Sequence, residues 1–228
     1  MRYVRRPIAK KIRLLRDKLP TLDEILYVFS YLKNPADASY EIKRQNRVGI
    51  FSASVLFIIF FLFYIHHIYN TSFLFNYRII EDINLLEEVI RIILPVLLWV
   101  VANTLIASIR EGEGRFKDIY VSTIFALSPF FLTLPLLTIL SNVLTYNEAF
   151  MFSLIRFISV AVTVLYFFFM VKEVHFYNVR ETVSNITISA FTMAMLMLGT
   201  FIVYMLLNEL GTLTKDIAME VYYRVFSN

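Results

Sequence analysis

The chain is 228 residues long, 58% hydrophobic and 16% aromatic, with a formal net charge of +4. That apolar load exceeds the roughly 45–50% of a soluble domain. The absence of cysteine excludes thiol catalysis, disulfides and cysteine-ligated metal.

Residues 1–47 precede the first long apolar run and read as three short helices. Ile8, Ile12, Leu15 and Leu19 fall at 4-3-4 spacing, with Lys10, Lys11, Arg13, Arg16 and Lys18 on the remaining faces. This is a basic amphipathic helix suited to an anionic lipid surface. A solvated basic arm that only fixes topology is the competing reading. Pro20 ends this helix, and Thr21-Leu22-Asp23-Glu24 has the pattern of a capping box. Leu22, Ile25, Leu26, Phe29 and Leu32 then share one apolar face. Asn34-Pro35 starts a third helix, with Asn34 placed to cap it and Asp37 near its positive end.

Five apolar stretches of 21 to 23 residues follow, at 48–69, 89–109, 119–141, 149–171 and 186–207. Each is long enough to cross a bilayer as a helix, which takes roughly 20 residues. The expected fold is all-α: a bundle of five transmembrane helices behind a cytosolic amphipathic region, with an extracytoplasmic tail at 208–228. The first stretch starts near residue 48 without a small-residue cleavage site, so it is expected to be an uncleaved signal-anchor. Taken alternately, the segments outside the spans place seventeen Lys and Arg on one side and three on the other. The positive-inside rule then predicts a cytoplasmic amino terminus and an external carboxy terminus. The expected surroundings are a lipid bilayer with anionic lipid at the basic helix, and no nucleic acid.

The loop 70–88 ends in an acidic segment. Ile79, Ile83, Leu86 and Ile90 share one face and four carboxylates the other, which predicts an interfacial helix with a solvated acidic side. In the tail, Ile217, Val221 and Val225 mark another amphipathic stretch, expected to lie on the membrane or dock onto a partner.

Few polar groups sit deep in the spans. Arg156, seven residues into the fourth, must snorkel, pair or line a polar cavity. Glu148, Asn142 and Asn103 are its candidate partners. Pro129 and Pro135 interrupt the third span, and broken helices line transporter sites but also occur in ordinary packed bundles. His66, His67 and His175 lie at span ends without a second ligand at helical spacing, which favours interfacial anchoring over metal binding. Gly112 and Gly114 follow a membrane span rather than a strand, so a tight turn is expected there and not a phosphate cradle. No nucleophile–base arrangement or intramembrane acidic pair suggests an enzyme, and no cofactor is implied.

Three groups of residues resemble a known family when taken in order. Gly112-Glu113-Gly114-Arg115-Phe116-Lys117-Asp118-Ile119-Tyr120 forms the loop, Phe125-Ala126-Leu127-Ser128-Pro129 the kinked span, and Val174-His175-Phe176-Tyr177 the turn after the fourth span. With the Asn34-Pro35 lead-in, their order resembles the Ypt-interacting-protein (YIP) family of five-span membrane proteins. Phe125 stands where that family usually has tyrosine. The resemblance covers roughly residues 34–207. It implies a five-helix bundle with a cytosolic amino terminus, of the bacterial type found in the plasma membrane. The bacterial type is often encoded beside sugar-importer permeases, which suggests an accessory subunit of an ABC transporter. It carries no catalytic residues. Gly112, Gly114, Phe116, Lys117, Tyr120, Pro129, Pro135, Arg156 and His175 are the candidate functional positions. The expected role is a non-enzymatic scaffold packing against other integral membrane proteins. The alternatives are a small transporter or channel using Arg156 and the kinked third span, and a membrane-shaping or trafficking factor.

Overall fold

A computed structural model describes residues 22–76 and 78–226. Among them every regular element is helical. The basic helix expected at 8–19 lies outside the described residues. In chain order the elements are α1 (Leu22–Lys33), α2 (Pro35–Gln45), α3 (Ile50–Asn70), α4 (Leu85–Ile109), α5 (Phe116–Ala126), α6 (Ser128–Val143), α7 (Ala149–His175) and α8 (Val179–Phe226), with short 3-10 turns at Ile80–Asp82 and Tyr146–Glu148. Five helical segments are long and apolar enough to cross a membrane: α3, α4, α5 with α6, α7 with its preceding turn, and α8. The chain is an integral, multi-pass, all-α membrane protein.

Alternate connections gather at the same end. The α4–α5 loop touches α2 and the turn after α7. We call this the basic end, since α2 and the loop carry most of the described cations there. At the opposite end, Asn142 donates to the Asn70 carbonyl at 2.9 Å and the Ser72 N–H to Ser141 Oγ at 3.1 Å.

The third span sits at the centre. Over its most apolar window 56% is buried inside the bundle, against 22% for α3 and none for α8. It is two helices, since the backbone breaks at Leu127 just ahead of Pro129. Pro135 continues inside α6, and Pro95 lies inside α4, so the third span is not the only one with an internal proline. Phe60 of α3 stacks on Phe131 of α6 with centroids 5.2 Å apart, and Tyr31 of α1 packs against Phe125 at 5.6 Å and Tyr166 at 5.9 Å. Tyr31 is fully buried, and the Tyr166 hydroxyl donates to the Leu32 carbonyl at 2.7 Å. These contacts seat the amphipathic α1 and α2 on the bundle as a cap.

Local starts depart from the expected ones in instructive ways. Glu24 accepts from the Gly49 N–H at 2.8 Å and from Ser52 Oγ at 2.5 Å, so its carboxylate sits at the positive end of α3. Asn34 does precede α2, with Pro35 in the first turn, but its amide bonds Asp37 rather than a backbone N–H. The interfacial helix expected before the second span is only the Ile80–Asp82 turn. Asn84 then caps α4, accepting from the Leu86 N–H at 3.0 Å. Glu88, expected on a solvated face, is 4% exposed and bonded to Tyr64, Arg78 and Arg91.

The tail is not a separate surface helix. It continues α8 without a break for 48 residues. At 1.5 Å per residue this is about 72 Å, more than twice the roughly 30 Å of a bilayer core. Only its first third is held, chiefly against α4; from Met197 to Arg224 every residue is exposed.

Candidate functional site

The loop joining α4 to α5 is clamped between α2 and the turn that follows α7. α4 ends with the Arg110 N–H on Ile106 and Ala107 carbonyls and the Gly112 N–H on Ala107 at 2.8 Å. The left-handed residue of this turn is Glu111, at φ 56°, and neither glycine has positive φ. The glycines are required by close approach instead. A Cβ on Gly112 would lie 2.5 Å from Tyr177 Oη and 2.8 Å from His175 Nδ1. One on Gly114 would lie 2.5 Å from His175 Cε1 and 2.8 Å from Val174 Cγ1. The tight-turn role expected for the glycines is thus only part of the reason: they leave room for an imidazole.

His175 is buried, 2% exposed, and does not anchor at an interface. Its Nδ1 accepts from the Gly114 N–H at 3.3 Å, which leaves the proton on Nε2 to donate to Asn103 Oδ1 at 3.0 Å. The ring stacks on Tyr177 at 5.3 Å. Burial, first of all, pushes the Tyr177 hydroxyl above its ordinary range, against the nearby Arg110 charge and the Asn185 bond, so it stays neutral. Tyr177 in turn reaches the Arg110 carbonyl and Asn185, each at 3.5 Å, and Arg110 bonds Ser184 at 2.8 Å. The loop is thereby tied to the first turns of α8.

From the other side α2 supplies cations. Lys43 pairs with Asp118 at 3.1 Å, with side chains only 9% and 7% exposed, and also bonds the Glu113 carbonyl. Asp118 accepts from the Arg115 N–H at 3.3 Å as well, so one carboxylate both caps α5 and anchors α2. Arg44 pairs with Glu113 at 2.8 Å and lies 4.2 Å over the Phe176 ring, where Phe176 ends α7 at φ 60°. Tyr120 meets Ser54 of α3 at 3.0 Å, and Lys117 reaches Asn46 at 3.4 Å.

Of the positions predicted from sequence, Gly112, Gly114 and His175 touch one another, Lys117 and Tyr120 join at the margin, and Phe116 is exposed on the surface. Lys43, Asp118 and Tyr177 were given no role of their own by sequence reasoning, and Asn103 was assigned to Arg156 instead of His175. The opposed signs of 43–44 and of 113 and 118 were a signal, but 70 residues separate them and no local spacing joins them. Beside the clamp lies a cleft of about 450 Å³, where Glu111, Glu113 and Glu181 face Arg110. No group of three or more metal-ligating side chains occurs among the described residues.

Pro129, Pro135 and Arg156 lie elsewhere. The Pro129 carbonyl accepts from Ser159 Oγ at 3.3 Å, and Ser159 also meets Thr133 at 2.5 Å, so the kink is tied to α7. Ser122, Thr123 and Ser128 around the break are buried with hydroxyls that have no partner among the described residues. None of the expected partners pairs with Arg156. Glu148 caps its own turn on Thr145, Asn142 bonds Asn70 and Thr138, and Asn103 holds His175 at the far end of the bundle. Searches against known protein families, characterised proteins and solved structures find no match to this chain.

Proposed function

We propose that the chain is a non-enzymatic membrane scaffold, an accessory subunit of the bacterial YIP-like type, with its basic end in the cytoplasm. The observation that carries the reading is α8. This fifth span buries none of its most apolar window inside the bundle, and α8 holds five of the chain's eight methionines. Met195, Met197, Met205 and Met219 are all exposed. Methionine is flexible and polarisable, and recurs on surfaces that adapt to partners. Helix association in lipid rests on such packing, because lipid tails remove the hydrophobic drive. Lys43 and Arg44 of α2, the 112–120 loop and the Val174-to-Tyr177 turn meet at one end, where Arg110 and Tyr177 bond Ser184 and Asn185 at the start of α8. A permease of a sugar importer is the partner class that the resemblance suggests.

The test is photo-crosslinking in native membranes from a reactive residue at position 205 of α8, with position 164 of α7 as reference. The expected result is a protein adduct of one discrete mass at 205 and lipid adducts at 164. Lipid adducts alone at both positions would defeat the scaffold reading.

A second reading, a small transporter, has one specific observation in its favour: the orphaned hydroxyls of Ser122, Thr123 and Ser128 beside the broken third span. Discontinuous helices line transport sites where unpaired polar groups meet substrate. Purified protein in liposomes should then carry ions, sugars or phosphate; no flux above empty liposomes removes this reading.

A further inference from the structure

At the end of the bundle opposite the basic one, α3, α7 and the loop after α3 enclose a cleft of about 180 Å³. Its polar lining is Tyr64, His67, Thr71, Asn76, Arg78 and Arg156, with two arginines and no carboxylate. The acidic residues of the neighbouring segment fall instead in an adjoining cleft, where Asp82, Glu87 and Glu88 face Arg78 and Arg91. Arg78 lines both clefts and is matched by Glu88, so Arg156 is the cation left without a carboxylate.

The two arginines are prepared differently. Arg78 is positioned, because its Nη1 donates to Glu88 at 3.0 Å, and that buried carboxylate is itself fixed by Tyr64 at 2.7 Å and Arg91 at 2.9 Å. Arg156 has no hydrogen bond or ion pair among the described residues. It projects from α7 seven residues past Ala149, about 10 Å along the helix axis, within a membrane-spanning segment. Its side chain is exposed, and an unpaired guanidinium at that depth either snorkels to the headgroup region or takes a counter-charge. His67 supplies none, since an imidazole is neutral or cationic; its Nδ1 meets Thr138 at 2.9 Å and Thr71 at 3.1 Å. Phe75 and Phe152, with ring centroids 4.7 Å apart, form the apolar wall of the cleft.

We propose that this cleft binds a phosphate-class oxyanion between Arg156 and Arg78. The guanidinium fork matches the oxygens of such a group, and charge-assisted bonds to it are the strong ones. The volume is below the roughly 300 Å³ at which pockets begin to hold whole drug-sized ligands. It suits one phosphate group, whether free in solution or on a phospholipid head.

The experiment is thermal unfolding of the full chain in neutral detergent, titrated with inorganic phosphate, with sodium chloride at equal ionic strength, with phosphatidylglycerol, and with phosphate-free diacylglycerol. The expected result is a midpoint that rises with a phosphate-bearing ligand and not with its phosphate-free counterpart. Arg156→Gln should weaken the apparent affinity about tenfold or more, as for loss of a charge-assisted bidentate pair. Arg156→Lys should retain part of it, and Lys215→Gln, an exposed cation on α8, all of it. A response to inorganic phosphate assigns a soluble ligand, and a response to phosphatidylglycerol alone assigns a lipid headgroup. No response of the unmodified chain, or an equal response in Arg156→Gln, overturns the proposal. Arg156 bonds nothing in the fold, so its loss leaves folding intact and the titration interpretable.

Discussion

Lys43→Ala is expected to lower the stability of the folded chain by about 3–5 kcal/mol, the usual cost of leaving one member of a buried ion pair without its partner. The ammonium and the Asp118 carboxylate are each less than one-tenth exposed at 3.1 Å. Without Lys43, Asp118 keeps only the Arg115 N–H at 3.3 Å as a donor. Removing both charges is a different matter, because the penalty belongs to the unmatched charge and not to the missing bond. Lys43→Met with Asp118→Asn retains an acceptor for the Arg115 N–H and should recover most of the loss. Unfolding by SDS in mixed micelles, followed by circular dichroism, measures Lys43→Ala, the double variant and its two single parents Lys43→Met and Asp118→Asn, and the coupling between the sites follows from the double-mutant cycle. A single Lys43→Ala that unfolds like the parent would mean that α2 is held by its apolar face alone. Trypsin should also cut sooner after Arg44 in the single variant, since the same pair anchors α2 to the α4–α5 loop.

Gly114→Ala is the second large effect, at about 2–3 kcal/mol, in the upper range of overpacking penalties. The added methyl would meet His175 Cε1 at 2.5 Å, His175 Nδ1 at 2.7 Å and Val174 Cγ1 at 2.8 Å. The imidazole cannot step aside without losing Asn103 or the Gly114 N–H. Gly112→Ala should cost less, because its nearest obstacle is the Tyr177 hydroxyl, the far end of a side chain held by bonds of 3.5 Å. Gly114→Ala placed in a His175→Ala background should add a smaller loss, since the obstructing ring is gone and only Val174 Cγ1 at 2.8 Å remains to give way. Equal costs for Gly114→Ala with and without His175 would show that the clash is not with the ring. Thermal unfolding in detergent reads all of these.

Span count and alternation were legible without coordinates, because about 20 consecutive apolar residues have only one low-energy use in lipid. So was the helix start at Pro35, which depends on neighbours within one turn. The α1 face was not: Leu22, Leu26 and Phe29 of the expected apolar stripe are exposed, and Val28 and Tyr31 are the residues buried against the bundle. His175 was not legible. Local spacing offered it no partner, and its partners Asn103 and Gly114 lie 72 and 61 residues away. The acidic segment before α4 was read as solvated because four carboxylates crowd ten residues. Only Glu88 departs, turned inward by two arginines and a tyrosine. The tail's amphipathic spacing could not distinguish a helix lying on the membrane from one continuing straight out of it.

The amino-acid sequence by itself determined that this is a five-span, all-α membrane protein with its cations concentrated in alternate connections, because hydropathy and charge act through the run of the chain. Tertiary structure alone decided which polar groups meet. It seated His175 against two glycines and paired Lys43 with Asp118. It paired Arg78 with Glu88 and left Arg156, in the same cleft, without a carboxylate, and it let α8 run on with one face after another uncovered. Those outcomes depend on contacts between residues far apart in the chain, whose geometry no local periodicity encodes.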